Sequence, residues 1–315
     1  MILQKDTSKN VPSSLASSLA SPSSQASIHP TAIVHPTARL GEQVRIGPFC
    51  VIGEHCTLGN HVVLANNVTL VSHVILEEGV QCATGVVLGG EPQDAKFKGE
   101  TSWVRVGAYT QLREYVTIHR ATGEGHTTEV GSRCLLMCNS HVGHNSKVGN
   151  QVTLANAVLL AGHVTVGDAV VIGGASCVHQ GCDIGAYTMI GGLSGVRQNV
   201  PPFVMCNDWK VRSINVVGLR RSGFNTQQRK AIRMGIKILC FTQNPLDERI
   251  AILEALYGEQ EAMAPLLHFA KTLNKRGLAD AGTGKRFDAH QLKALALKGE
   301  EPPEFETADT VAGEG

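Results

Sequence analysis

The chain has 315 residues, 43% of them hydrophobic, and its 28 Lys and Arg balance 27 Asp and Glu. Such a chain can bury a sizeable core, and a net charge of +1 gives no global attraction to nucleic acid or to a membrane surface. No apolar run approaches the about 18 residues that span a bilayer, and nine scattered cysteines with no CxxC pair read as reduced thiols in a cytoplasmic protein.

Residues 1–27 are Ser-rich, carry no apolar h-region and lack the arginines of a transit peptide, which predicts a disordered extension. From Ile28 to Val196 a different pattern takes over: every sixth residue falls on one unbroken count, and 25 of its 29 positions are aliphatic. Cys82, Asp94, Glu100 and Glu124 are the exceptions. Neither a helix nor an alternating strand has a period of six, so the pattern predicts a β-helix whose triangular coils take 18 residues each. At about 4.8 Å per coil the repeat makes a rod of roughly 45 Å. A Gly often follows the inward aliphatic (Gly41, Gly47, Gly131, Gly149), as expected where the backbone turns a corner at positive φ.

Two stretches lose the pattern, residues 89–102 (GGEPQDAKFKGETS) and 121–129 (ATGEGHTTE), and read as loops extruded from the coil. They are either tolerated insertions or binding loops on a rigid scaffold. The β-helix ends at 203, after Pro201 and Pro202, and residues 204–278 read as a connecting segment and a helical domain beginning near Asn225. Ile232, Ile236 and Cys240, then Ile250, Leu253 and Leu256, carry its helical spacing. Eight basic residues between Asn207 and Cys240, among them Arg221, Lys230, Arg233 and Lys237, face one acid, Asp208. They form a solvated face or a dock for an acidic partner or phosphates. Residues 279–315 read as a disordered tail.

Placed on the coil, positions 144, 162 and 180 stack on one corner and hold His144, Gly162 and Gln180, with His163 and His179 one place to either side. His144, His163 and His179 are therefore expected within about 10 Å, two coil spacings. His141 precedes them on the same strand, and His119 enters from an earlier coil. A lone His in a repeat is more often structural, and His55 and His73, also 18 apart, read as a surface ladder. Clustering points instead to a catalytic or ligand site. An imidazole can remove a proton near neutral pH, and Gly162 above His144 can offer an unobstructed N–H to an oxyanion. The pair suggests acyl transfer, with direct attack by an acceptor hydroxyl, since no Ser or Cys is placed as a nucleophile. Cys134 and Cys138 have a metal-like gap but no second pair near them.

The stretches PQDAKFKGE (92–100), REYVTIHR (113–120), HVGHNSKVGN (141–150), LAGHVTVGD (160–168), IGGLSGVRQNVPPF (190–203) and INVVGLRRSGF (214–224) resemble the acyl-carrier-protein-dependent UDP-N-acetylglucosamine O-acyltransferases of lipid A biosynthesis. The likeness covers residues 28–278. It implies a left-handed parallel β-helix of hexapeptide repeats with a C-terminal helical domain, assembled as a homotrimer with sites between subunits. The implied reaction moves a 3-hydroxyacyl chain from acyl carrier protein to the glucosamine 3-position, with no cofactor beyond the carrier's own phosphopantetheine.

By the same resemblance His144 is the general base and Gly162 the oxyanion donor, while Asp94 and Lys96 contact the sugar nucleotide. His141, His163 and Gln180 line the cleft with His179 nearby, Asn215 sits in the nucleotide region, and Arg221 approaches the phosphates. Gly192 stands at the acyl-chain ruler and implies a long chain. The chain departs from the family pattern at Asn145, where an Asp is usual, at Gly181 in place of an aromatic, and at Val217 in place of an acid. Two other readings use the same histidines: a γ-class carbonic anhydrase holding zinc on three imidazoles, and a scaffold that binds sugar nucleotide or acyl carrier protein without turnover.

Overall fold

The computed structural model describes residues 25–207, 210–279, 281 and 286–303. Between Ser27 and Val196 the chain forms 26 strands, most of them two residues long. Every third strand pairs in parallel, Ser27–Ile28 with Arg45–Ile46 and so on, which sorts them into the three walls of a prism. This is the β-helix that the six-residue period predicts.

The counted aliphatics point inward, with Ile52, Leu70, Leu136 and Ile172 at most 1% exposed. A second inward column, two residues earlier in each segment, escapes the sequence count. It holds small side chains such as Val62, Val80, Val152 and Val170, and Cys50, Cys56, Cys134 and Cys182 occupy four of its places. Those thiols are buried as small hydrophobes, with burial pushing each above its ordinary range.

The expected reason for the glycines needs correction. Gly47 and Gly131 do not have positive φ; a Cβ on either would lie 2.5 Å from a carbonyl oxygen of the next coil, Ala65 or Gly149. Coil-to-coil closeness demands them. Positive φ instead falls three residues before each inward aliphatic, and non-glycine residues mostly carry it, including His55, Asn145 (φ 60°) and His163 (φ 57°).

The two interruptions are shorter than expected, because Val87–Gly90 and Thr127–Val130 are strands. Val87 pairs with Thr117, 30 residues on instead of 18, and Trp103 with Thr127, 24 on. Both insertions are thus multiples of six, and the count survives them. The sheet also outlasts the predicted end at 203: Val204–Asn207 continues the wall beside Met189–Ile190 and turns back antiparallel through Lys210–Ile214.

Among the described residues five α-helices follow: α1 (Val216–Arg221), α2 (Thr226–Cys240), α3 (Leu246–Tyr257), α4 (Ala264–Lys271) and α5 (Ala289–Leu297). A capping box between Asn225 and Gln228 starts α2, which buries Ile232, Ile236 and Leu239. Helix α5 corrects the expectation of a structureless tail from 279. Asp288 caps it through the N–H groups of His290 and Gln291, and Ala289 and Leu292 pack it onto α2 and α3. The low overall apolar content hid a short amphipathic stretch. The expected disordered extension of 1–27 ends too late, because Ser27 already opens the first strand; residues 1–24, 280, 282–285 and 304–315 lie outside the described residues.

Candidate active site

The 18-residue stack of His144, Gly162 and Gln180 forms as read: a Cβ on Gly162 would collide with Nε2 of His144 and lie 2.6 Å from its Cε1. The imidazole therefore lies flat across the Gly162 backbone, in space that only glycine leaves open. His144 is 6% exposed. Gly162 N–H makes no hydrogen bond among the described residues.

Asn145 fixes the state of the imidazole. Its Oδ1 accepts from Thr122 N–H (2.9 Å) and its Nδ2 donates to Thr122 C=O (2.9 Å), so both ends of the amide are assigned by backbone groups. The same Oδ1 lies 2.9 Å from Nδ1 of His144. An acceptor there requires Nδ1 to carry the proton, which leaves the Nε2 lone pair directed over Gly162. The left-handed backbone of Asn145, anchored by its N–H on Thr128 Oγ1 (2.8 Å), brings the amide to this place.

The inserted loops fold back over the coil beside His144 and are stitched together. Glu100 Oε1 accepts from Gly123 N–H (2.8 Å), Glu124 Oε2 from Thr101 N–H (3.0 Å), and Gly125 N–H donates to Thr101 C=O (2.7 Å). The first loop thereby sets Asp94 Oδ2 4.0 Å from His144 Nδ1. The Lys96 N–H, 3.0 Å from Asp94 Oδ1, is the main reason this carboxyl is held below its usual range, with smaller contributions from His144 and the Lys96 charge. Asp94 is an anion at neutral pH.

A cleft of about 600 Å³ runs past these groups, lined by Gln93, His119, His141, His144, Gly162 and Gln180. His141 donates to or accepts from Thr117 Oγ1 through Nδ1 (2.8 Å) and packs edge-on against His119 at 4.8 Å. Burial, then the neighbouring imidazoles His119 and His144, push His141 down to about 4, and burial lowers His119 as well. Both are neutral at physiological pH, so the cleft wall is polar without being cationic there.

The predicted trio of imidazoles is not assembled. His163 meets His144 edge-on at 5.1 Å, but His179 is exposed and its Nδ1 turns to Gln180 C=O (3.2 Å). Position 179 lies one place before the corner. Among the described residues one group of three metal-ligand types forms near the cleft, Asp94, His144 and His163, with donor atoms within 4.8 Å of one another. Nδ1 of His144 is already engaged by Asn145, so this is not the three-imidazole zinc set of the carbonic anhydrase reading.

Other expected residues stand elsewhere on the single chain. Asn215 caps α1 through Gly218 N–H (3.0 Å) and donates to Tyr187 C=O (2.9 Å), committing its amide to joining the helical domain to the coil. Arg221 is exposed in the last turn of α1. Gly192 stacks over Gly174, on a different corner from His144. His55 and His73 do form the ladder, at 5.0 Å, and Trp103 extends it. Sequence reasoning missed the loop-to-loop stitch and the Thr122 partnership of Asn145, which depend on how irregular segments fold back; the signal present was an acid in each loop, Glu100 and Glu124.

Known proteins are similar to this chain in both its repeat and its helical domain. Residues 37–72 match the bacterial transferase hexapeptide repeat, and residues 199–279 match the second domain of UDP-N-acetylglucosamine O-acyltransferase. The acyl-[acyl-carrier-protein]–UDP-N-acetylglucosamine O-acyltransferase of Synechocystis is 40% identical over 193 residues, 61% of this chain and 68% of the relative. The solved UDP-N-acetylglucosamine acyltransferase of Francisella novicida superposes with a TM-score of 0.79 at 31% identity, over 81% of this chain and 95% of that one. The Arabidopsis enzyme does so with a TM-score of 0.68 at 32% identity, over 80% and 100%. The fold is the left-handed parallel β-helix of hexapeptide repeats with a helical C-terminal domain that the resemblance implied. The chain belongs to the UDP-N-acetylglucosamine O-acyltransferase family.

Proposed function

We propose that His144 is the general base with which this enzyme moves a 3-hydroxyacyl chain from acyl carrier protein to the glucosamine 3-hydroxyl of UDP-N-acetylglucosamine. The chain is an acyl-[acyl-carrier-protein]–UDP-N-acetylglucosamine O-acyltransferase, which catalyses the first step of lipid A biosynthesis. One observation carries the role of His144: its Nδ1 faces the Asn145 oxygen at 2.9 Å, so its basic nitrogen is Nε2, over Gly162.

In this mechanism Nε2 takes the proton of the 3-hydroxyl as that oxygen attacks the thioester carbonyl. The carbonyl oxygen becomes an oxyanion, held by the Gly162 N–H, a contact worth about 10² to 10³ in rate. Collapse of the tetrahedral intermediate breaks the C–S bond, and the imidazolium returns its proton to the departing thiolate of the phosphopantetheine arm. No charge is left on the enzyme. During the cycle the imidazolium faces the anion of Asp94 at 4.0 Å and a neutral amide at Asn145. Asp94, Lys96, His141, His163 and Gln180 contact substrate in this reading, and His179 lies at the rim.

The reading includes a cytoplasmic homotrimer. Two outward faces of the prism carry exposed apolar residues, Ile33, Val51 and Leu159 on one and Val171, Met189 and Met205 on the other. The third carries Arg39, Arg105, Glu129, Lys147 and Asp183, as a solvated wall would. Gly192, Asn215 and Arg221 lie off the His144 corner, and a neighbouring subunit offers the route by which they would reach the cleft. Nine free cysteines, seven of them buried, fit a reducing compartment. No helix among the described residues is long and apolar enough to cross a membrane. The acyl arm arrives on the carrier, so the mechanism uses no resident cofactor.

The test is incubation of the purified protein with UDP-N-acetylglucosamine and a series of 3-hydroxyacyl carrier proteins, following acylated sugar nucleotide by mass spectrometry, with His144→Ala alongside. Product that falls by about 10² to 10⁴ in the variant supports the base. Equal turnover by both proteins would remove it, and product only with a 3-amino acceptor would change the substrate.

A further inference from the structure

The basic patch read from the sequence is divided by the structure. Lys230, Arg233 and Lys237 lie three and four residues apart along one stripe of α2. The segment after α5 runs along that stripe: Glu301 Oε1 meets Lys230 Nζ at 2.8 Å, and the Pro303 carbonyl accepts from Lys237 Nζ. Lys237 is fully buried, with its ammonium 4.7 Å from the centre of the Phe287 ring, and so anchors the segment internally. The Lys230 hydrogen bond and the charges of Lys230 and Arg233 hold the Glu301 carboxyl below its usual range.

This segment is an addition to the family domain, whose match ends at residue 279. From 300 to 315 the chain carries Glu300, Glu301, Glu304, Glu306, Asp309 and Glu314 and no Lys or Arg. Beyond Gly299 it is therefore an acidic strand of polypeptide whose first residues lie on the basic edge of α2.

We propose that Lys230 and Arg233 form a docking edge for the acidic carrier protein that brings the acyl chain, and that the chain's own C-terminal segment, anchored on Lys237, competes for that edge. The proposal rests on acyl carrier protein as donor. Glu301 already holds Lys230, so the carrier must displace it to use the edge, with Glu300 adding like charge beside it. The Lys230–Glu301 pair is more than half exposed on both sides. Such pairs are weak and screened by salt, which makes the shield easy to displace and its effect about two- to fivefold in donor affinity.

The experiment measures steady-state kinetics at low and at physiological salt for three proteins: the full chain, the double variant Glu300→Gln/Glu301→Gln, and the chain ending at Gly299. Both altered proteins are expected to show a KM for acyl carrier protein about two- to fivefold lower at low salt, with kcat and the KM for UDP-N-acetylglucosamine unchanged. The difference should shrink at higher salt. The double variant keeps Pro303 on Lys237, so it decides the matter even where truncation unfolds the domain. A donor KM that is unchanged or higher in the double variant would overturn the competition. A full chain giving no product with any acyl carrier protein would instead overturn the donor assignment beneath it.

Discussion

The Asn145 side-chain oxygen, 2.9 Å from Nδ1 of His144, is locked in place because Thr122 binds both ends of the amide. A carboxylate at 145 could accept from His144 but could not donate to Thr122 C=O. Asn145→Asp therefore exchanges part of the loop anchor for a counter-charge. An anion beside the ring favours the imidazolium, so the base must lose its proton at a higher pH, and the acidic limb of kcat/KM should move up by about one unit. Asn145→Ala should leave the limb where it is and lower kcat by about 10- to 100-fold, within the range of base catalysis, because the tautomer is no longer fixed. A pH–rate profile of both variants checks this, and identical profiles would remove Asn145 from the mechanism.

Gly162→Ala tests the other side of the ring. The added Cβ would collide with His144 Nε2 and Cε1, so the imidazole must shift from its place across Gly162. Base and oxyanion donor are then disturbed together, and kcat should fall by about 10² or more. Gly162 has no positive φ, so the backbone itself tolerates alanine. A thermal midpoint within a few degrees of the parent, alongside the lost rate, separates this from unfolding.

The coil was legible because its period is local and both insertions add a multiple of six residues. The stack of His144, Gly162 and Gln180 followed from counting alone, since both loops precede it. What counting could not give was side-chain direction one place off the corner, which misplaced His179. It also could not give the fold-back of the loop carrying Asp94, whose approach to His144 depends on bonds such as Glu100 to Gly123 between two irregular segments. The glycine argument failed for a related reason: spacing along the chain carries no information about the carbonyl of the next coil. In the tail, mean composition outweighed the short run of Ala289, Leu292 and Leu295 that α5 buries or packs against the core.

His141 makes stability depend on pH. Its folded pKa of about 4 lies below the ordinary imidazole value near 6.5, so the folded state favours the neutral ring. The associated stability is complete above about pH 6.5 and is lost as the pH falls through the window down to about 4. Partial solvent access limits this to about 1–2 kcal/mol. His119 shifts in the same direction and adds to it. The drop in thermal midpoint between pH 7 and pH 4.5 should accordingly be smaller in His141→Gln than in the parent; an equal drop would show that the ring titrates normally.

The loop stitch predicts a split between binding and chemistry. Glu100 and Glu124 each hold a backbone N–H of the opposite loop and touch neither His144 nor Gly162. Replacing both by Ala loosens the segment that positions Asp94 and Lys96, while the base and its amide stay in place. The KM for UDP-N-acetylglucosamine should rise by about three- to tenfold, the loss of roughly one net hydrogen bond, with a smaller change in kcat. Equal losses in both constants would place the loops in the chemical step.

In the proposed mechanism Gly192 sets how long a chain the groove admits. A Cβ there would meet only Gly174, at 3.3 Å from its carbonyl oxygen and 3.8 Å from its nitrogen, so a side chain can be added with a slight local adjustment. A methionine would then project from this corner into the space beside it, shortening any apolar groove that passes over the glycine. The parent should prefer long 3-hydroxyacyl donors, and Gly192→Met should lose activity on them while keeping or gaining it on chains several methylenes shorter. Each methylene excluded is worth about 0.8 kcal/mol of burial, so the ratio of kcat/KM for long over short donors should fall by a factor of ten or more. Competition between two carrier-bound donors in one mixture, read by product mass, measures that ratio directly. An unchanged ratio would mean that the acyl chain ends before it reaches residue 192, and the groove would have to be sought along another corner of the coil.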